Sequence, residues 1–234
     1  MDMQARLEDL LVRLPSLFGA LCQSSGSSSS SQIKQDLFVL AALGETCGYF
    51  VDIGAGNGVT MSNTYMLEKV RGWHGLLVEP ARCWQGALRQ TRALGNIIDD
   101  RAAWCRSGER VMFTEMLDSH LSTISQFQEH DGHAFVRQAT VAGRYEVDTV
   151  SLNDLLDGHK APMVVDYLSL DTEGSESDIL SAVNFKAHTF RTITVEHNST
   201  SSRDEIYSLL TKNGYRRVLT EFSAFDDWYL GPTI

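Results

Sequence analysis

The stretch that most constrains the fold of this chain is Tyr49-Phe50-Val51-Asp52-Ile53-Gly54-Ala55-Gly56-Asn57-Gly58. Tyr49 to Ile53 is a short, nearly continuous apolar run, the pattern of a strand buried on both faces of a parallel sheet. It stops at three glycines on alternate positions. That predicts a tight strand-to-helix turn in which backbone N–H groups approach a ligand with no Cβ in the way, followed by a helix over 59–69. Asp52 sits where a purely structural strand would carry another apolar residue, so it is predicted to face a polar or cationic ligand. A second apolar run, Gly75-Leu76-Leu77-Val78, ends in Glu79, 21 residues after Gly58. This spacing suits a β-α-β unit whose strand-end carboxylate accepts hydrogen bonds from ribose hydroxyls.

A chain of 234 residues with 43% hydrophobic and 21% charged residues can bury a full α/β core, and its composition excludes wholesale disorder. The net charge of −10 argues against a nucleic-acid partner and against attraction to anionic lipid. Cys22, Cys47, Cys83 and Cys105 show no metal-binding or redox spacing and read as thiols in a reducing compartment. There is no apolar run of membrane-spanning length and no signal-peptide start, so a soluble cytoplasmic protein without a membrane partner is expected.

Residues 1–30 read as an N-terminal helix and a linker, and 31–234 as one domain. Leu7, Leu10, Leu11, Leu14, Leu17 and Phe18 recur at helical spacing, although Pro15 is predicted to break or kink the helix. That apolar face must pack on the same domain or on a second subunit, which makes a homodimer an expectation. The serine run from Ser24 to Ser31 is predicted to be a mobile hinge. Ser31 reads as the N-cap of the next helix, with Gln35 or Asp36 close enough to reach a ligand. Further strands are predicted at 96–100, 111–116 and 147–152. Between them, 117–144 has no readable period and is expected to form a substrate-facing insertion; its His120, His130 and His133 read as solvated. Two more buried strands end in Asp171-Thr172-Glu173-Gly174-Ser175-Glu176 and Glu196-His197-Asn198. Ligands of open α/β sheets bind beyond the carboxyl ends of strands, so these acids should share one crevice with Asp52 and Glu79. Segments 215–220 and 225–230 are predicted to form a hairpin at the sheet edge.

The spacing D-x-G-x-G-x-G lacks a pyrophosphate signature and instead resembles the S-adenosylmethionine loop of Rossmann-like methyltransferases. By that resemblance Gly54, Ala55, Gly56, Asn57 and Gly58 lie against the cofactor, Asp52 lies near its cationic methionine end and Glu79 holds the ribose. Asp100, with Asp99 as competitor, would contact the adenine amino group, and Gln35 joins the candidate cofactor contacts. Together with Ser31-Gln32-x-x-Gln35-Asp36, the D-T-E-G-S-E segment, Glu196-His197-Asn198 and Phe225-Asp226-Asp227-Trp228-Tyr229, the loop resembles the FkbM-type methyltransferase family over about residues 31 to 230. The resemblance implies a Rossmann-like α/β fold, with a mostly parallel sheet, helices on both faces and a C-terminal antiparallel strand pair. It also implies S-adenosylmethionine as donor and a hydroxyl of a sugar or secondary metabolite as acceptor.

In such chemistry the acceptor must lose a proton. His197 is the sequence's candidate general base, oriented by Asp171 or Glu173; the other reading is a strand-end histidine that only bonds backbone. A variant places Mg²⁺ or another divalent ion on Asp171, Glu196 and His197. An amine acceptor, an NAD-dependent oxidoreductase and a non-catalytic nucleoside-binding module are the competing readings.

Overall fold

The apolar run at Tyr49 lies inside a seven-stranded sheet in the computed structural model, which describes residues 3–44, 47–129 and 132–234. The chain runs α1 (Met3–Ser25), α2 (Gln35–Leu43), β1 (Tyr49–Ile53), α3 (Tyr65–Arg71), β2 (His74–Val78), α4 (Arg82–Arg92), β3 (Ile97–Asp99), β4 (Ala102–Trp104), β5 (Arg110–Met116) and β6 (Thr123–Ile124). It continues through α5 (Ala134–Ala139), β7 (Val141–Ser151), α6 (Leu152–Gly158), β8 (Val164–Leu170), α7 (Glu176–Ser181), β9 (Thr189–Glu196), α8 (Ser202–Lys212), β10 (Arg216–Val218) and β11 (Asp226–Leu230). The large sheet has the order β10-β11-β9-β8-β1-β2-β3. Its pairings are parallel except for β11, which is antiparallel to both β9 and β10.

Successive side chains of a strand point to opposite faces, and here both faces are dry. Val51, Ile53, Leu76 and Val78 join a core with Leu155, Ile179, Leu180 and Ile206. Phe50, Leu77 and Tyr167 join the other, with Leu37, Phe38, Met66 and Leu88. Strand order reverses between β1 and β8, the switch point at which open α/β sheets form a crevice.

Residues 102–151 build a second sheet, β4-β7-β5-β6, over the same end of the molecule. Trp104, Phe113, Ile124, Phe127 and Val147 give it a small core of its own. Of the unreadable 117–144, β6 and the first residues of β7 join this roof, and α5 lies between them.

Several local expectations are corrected. The helix expected directly after the glycines begins only at Tyr65, so the loop itself, not a helix terminus, borders the crevice. α1 continues through Pro15, because the loss of one backbone hydrogen bond is outweighed by packing: Leu14 and Phe18 are buried, and Phe18 meets the Trp228 ring edge-on at 5.4 Å. Its apolar face is covered within the chain by α2 and β11. The serine run is tied by polar groups where apolar area is lacking. Ser29 and Ser31 each donate to Asp36 Oδ1 at 2.7 Å, and Ser31 bridges to Met61. Ser31 is therefore not an N-cap; α2 starts after Lys34, which adopts φ 72°. The expected terminal hairpin, by contrast, is present at the sheet edge, with β10 outermost and β11 between it and β9, where Trp228 stacks on Phe38 at 5.0 Å. Among the described residues, no helix is long and apolar enough to cross a membrane.

Candidate active site

A cleft of about 460 Å³ opens beyond the carboxyl ends of β1, β2, β8 and β9, beneath the roof sheet. Its volume lies in the range of small-ligand pockets. The glycine loop forms one wall. Gly54 takes φ +89°, and a Cβ there would stand 1.7 Å from the Asp171 backbone oxygen, so the turns after β1 and β8 touch through glycine alone. Gly54 and Ala55 donate their N–H groups to Val78 O at 2.9 and 3.1 Å. Gly56 donates to Glu79 Oε2 at 2.7 Å, and Glu79 Oε1 accepts from Ala81 N at 2.7 Å. Burial pushes the Glu79 carboxyl up to about 7 despite those two bonds.

Asp52 lies at the cleft floor, where its Oδ2 accepts from Thr64 Oγ1 at 2.6 Å. Burial raises its pKa, and Arg92 opposes the rise. Gly54, Ala55 and Gly56 line the cleft, whereas Asn57 and Gly58 shape the turn behind it. The Asn57 side chain accepts from Val59 N and Thr60 N at 2.9 and 2.8 Å. A Cβ on Gly58 would meet Leu88 at 2.6 Å.

Two expected cofactor contacts lie elsewhere. Gln35 is buried, and its Nε2 donates to Asp226 Oδ2 at 2.9 Å; the neighbouring Gln32 lines the cleft instead. Asp100 is exposed and pairs with Arg89 at 3.2 Å. Its competitor Asp99 is also committed: burial works against its charge, yet Arg101 and His159 hold it down to about 2. At this strand end it is Ala102 and Ala103 that face the cleft.

The other wall is acidic. One carboxylate oxygen from each of Asp171, Glu173 and Glu196 can be chosen so that all lie within 4.8 Å of one another. Desolvation and the nearby Glu176 push Asp171 up to about 7, while a hydrogen bond with Glu196 pulls the other way. Glu196 is raised well above the ordinary carboxylate range, by burial first and by Asp171 and Glu173 next. Its buried Oε2 has no hydrogen-bond partner. Glu173, at φ 61°, pairs with Arg137 of α5, and Thr123 donates to its backbone oxygen at 2.9 Å, so this turn is fastened to the roof. Glu176 is structural: its Oε1 accepts from Thr172 N and Thr172 Oγ1 at 2.7 and 2.8 Å.

His197 is not the base. Its Nδ1 accepts from Ser199 N at 2.9 Å and its Nε2 donates to Asp226 O at 2.9 Å, so both ring nitrogens are spent on backbone. Asn198 and Ser199 adopt φ 43° and 56°, folding the chain back over the ring. Neither Asp171 nor Glu173 orients it, and it leaves the candidate metal set, where Glu173 takes its place. The adjacent Asp227 is held by Arg203 and Arg217 at 2.8 and 3.1 Å.

The cleft also contains residues the sequence did not single out for it: Trp84 on α4, Phe113, Asn198 and Phe225. His120 and His133 line it too, rather than lying loose in solvent, and the His120 ring meets Trp84 at 5.2 Å. His130 lies outside the described residues.

These residues fit S-adenosylmethionine. A Cβ on Gly56 would enter open space, with only His120 Cε1 at 4.0 Å. Glu79 offers fixed acceptor oxygens beside it, small and aromatic side chains lie beyond the end of β3, and the acid wall suits a sulfonium cation.

Solved structures similar to this chain include the N-terminal domain of human METTL16, at 12% identity and a TM-score of 0.42, covering 80% of this chain and 61% of that one. Another is precorrin-6y C5,15-methyltransferase from Geobacter metallireducens, at 11% identity and a TM-score of 0.43, covering 83% of this chain and 86% of that one. No curated protein matches the sequence. The methyltransferase FkbM domain matches residues 52–217, from the cleft-floor aspartate through both walls to β10 and thus over well more than half of the chain, so this protein belongs to the FkbM methyltransferase family.

Proposed function

We propose that the protein transfers the methyl group of S-adenosylmethionine to a hydroxyl oxygen of a small acceptor, a sugar or a secondary metabolite. The observation that carries this reading is the pair Asp171 and Glu196, standing at neighbouring strand ends in the same cleft as the glycine loop. A hydroxyl is a weak nucleophile until its proton is taken, and a carboxylate of raised proton affinity is suited to take it near neutral pH.

When bound, the cofactor supplies an already activated methyl group. Gly54 to Gly56 and Glu79 bind and orient it, and Asp52 adds negative charge under its cationic end. Ala102, Ala103 and Phe113 give its base an apolar wall. The roof, pinned at Glu173, limits water at the acid wall. There Asp171 accepts the acceptor's proton, while Glu196 shares hydrogen bonding and charge with it. The described lining contains carboxylates and neutral groups but no lysine or arginine, which favours an uncharged or cationic small molecule over a nucleic acid. The separate thiols of Cys22, Cys47, Cys83 and Cys105 support a reducing, cytoplasmic setting.

Thermal unfolding with S-adenosylmethionine, S-adenosylhomocysteine and NAD in parallel tests the cofactor, since a ligand at ~100 times its dissociation constant adds about 2.7 kcal/mol. Both sulfur nucleosides should raise the transition. A response to NAD alone would replace this reading with the oxidoreductase. Transfer of labelled methyl to a panel of sugars and phenols, compared with matching amines, then tests the acceptor atom. Label that enters only the amines would overturn O-methylation, and cofactor binding without any transfer would favour a binding module.

A further inference from the structure

We propose that Asp171, Glu173 and Glu196 form a binding site for a hard divalent cation at the acid end of the cleft. The role of such an ion in methyl transfer rests on the function proposed above; its binding does not. Oxygens no more than 4.8 Å apart can lie on opposite sides of one ion at Ca–O distances of about 2.3–2.6 Å, and a small contraction brings them within reach of Mg²⁺ at about 2.0–2.1 Å.

An acid cluster alone would not suffice, because exposed carboxylates gather without binding anything. Here Glu196 is only 7% exposed, lines the cleft and keeps a buried oxygen with no hydrogen-bond partner. Leaving such an oxygen dry and unpaired is costly; a proton relieves one carboxylate, whereas a cation shared by all three satisfies the whole group at once. The surrounding charge has the same sign. Asp52, Glu176 and Asp226 add further carboxylates beside the cluster. Arg92 faces Asp52 and Arg137 faces Glu173, but among the described residues no ion pair reaches Asp171 or Glu196.

All three side chains are oxygen donors, and the ring nitrogens of the adjacent His197 are committed to backbone. That donor set selects Mg²⁺, Ca²⁺ or Mn²⁺ over zinc or copper. Each carboxylate needs only one oxygen for the ion, and with the ion bound the acidity of a coordinated hydroxyl, rather than a raised proton affinity of Asp171, would carry the deprotonation. A coordinated hydroxyl would also be held in place and made more acidic.

The test titrates purified, cofactor-free protein with MnCl₂, read by loss of the free-ion electron paramagnetic resonance signal, and with MgCl₂ and CaCl₂ by calorimetry. Saturable binding of one ion per chain is expected, weakened about tenfold or more in Glu196→Gln and in Asp171→Asn. Asp100→Asn, on an exposed residue outside the cleft, should bind like the wild type. Neutral amides relieve repulsion among buried acids, so both cleft variants should stay folded; their unfolding transitions are recorded alongside, and Glu173→Gln gives a third reading. No binding up to about 5 mM ion, or binding indifferent to all three cleft variants, overturns the proposal. So does stabilisation by ethanolamine hydrochloride without any response to the metals, which would assign the site to an ammonium group. S-adenosylhomocysteine binding is measured on the same samples: its loss with ion binding intact would sink the methyltransferase reading and leave the ion site standing.

Discussion

Glu79 and Glu196 end β2 and β9 on the same side of one sheet, and burial is the first cause of a raised pKa in both, yet the chain treats them oppositely. Both oxygens of Glu79 receive backbone N–H groups at 2.7 Å, supplied by the glycine loop and by the turn into α4. Its surroundings are complete as soon as the backbone is folded, and spare lone pairs remain for a ribose. Glu196 instead has other carboxylates for neighbours and one oxygen with no donor. Its surroundings are completed from outside, by a proton, an ion or an acceptor. The end proposed for the cofactor is thus built by the fold, whereas the end proposed for the acceptor responds to what enters it.

The largest expected effect abolishes the contrast altogether. Gly54→Ala places a methyl 1.7 Å from the Asp171 oxygen at φ +89° and forces both turns apart. It should cost about 4 kcal/mol or more and lower the unfolding temperature by roughly 10 °C. A transition unchanged from wild type would show that the two walls are not locked together. Glu196→Gln comes next: turnover should fall about 10²–10⁴-fold with cofactor affinity nearly unchanged. Equal losses in both would mean that Glu196 belongs to the cofactor end.

Glu79→Gln should show the reverse pattern, raising the S-adenosylmethionine dissociation constant about 10- to 100-fold while turnover at saturation changes little. The smallest effect concerns pH. Burial pushes Asp226, behind the acid wall, from 3.8 up to about 8, so the folded state holds this proton more tightly than the unfolded chain does. Its stabilising contribution is full below about pH 4 and is lost as pH rises through about 8. Wild-type unfolding temperature should therefore drop between about pH 4 and 8, and Asp226→Asn should remove roughly 5 °C of that drop. Parallel curves for the two proteins would contradict it.

How much could be read beforehand follows from locality. β1, β2, β8 and β9 are apolar runs, and one wall of the cleft comes from consecutive residues beside them, so the placement of Gly54 to Gly56, Asp52 and Glu79 on that cleft was legible. The roof was not. The first half of β7 is mostly exposed or half-buried, and its sheet's core draws on Trp104, Phe113, Ile124, Phe127 and Val147, too scattered to set a period. Errors at strand ends have another cause. Neighbouring residues of a strand point to opposite faces, so a polar pair such as Glu196-His197 offers only one member to the cleft. Sequence chemistry favoured the histidine; the turn after β9 gave the place to the glutamate. At Asp99-Asp100 the chain turns sharply and Arg101 claims the first acid, so neither reaches the cleft.

The position of β11 has a consequence for how the protein is made. It is the last strand of the sheet in sequence, yet it lies between β9 and β10, and Gln35 reaches Asp226 across a separation of 191 residues. Contacts so remote along the chain form late and slow the approach to the native state. During synthesis β1, β2 and β8 can pair while β9 still shows a bare edge, a surface prone to joining other chains until Trp228 and its neighbours close it. Fixing of the strand end that carries Glu196, which pairs with Asp226, and escape from aggregation should therefore coincide, both waiting on the same short segment.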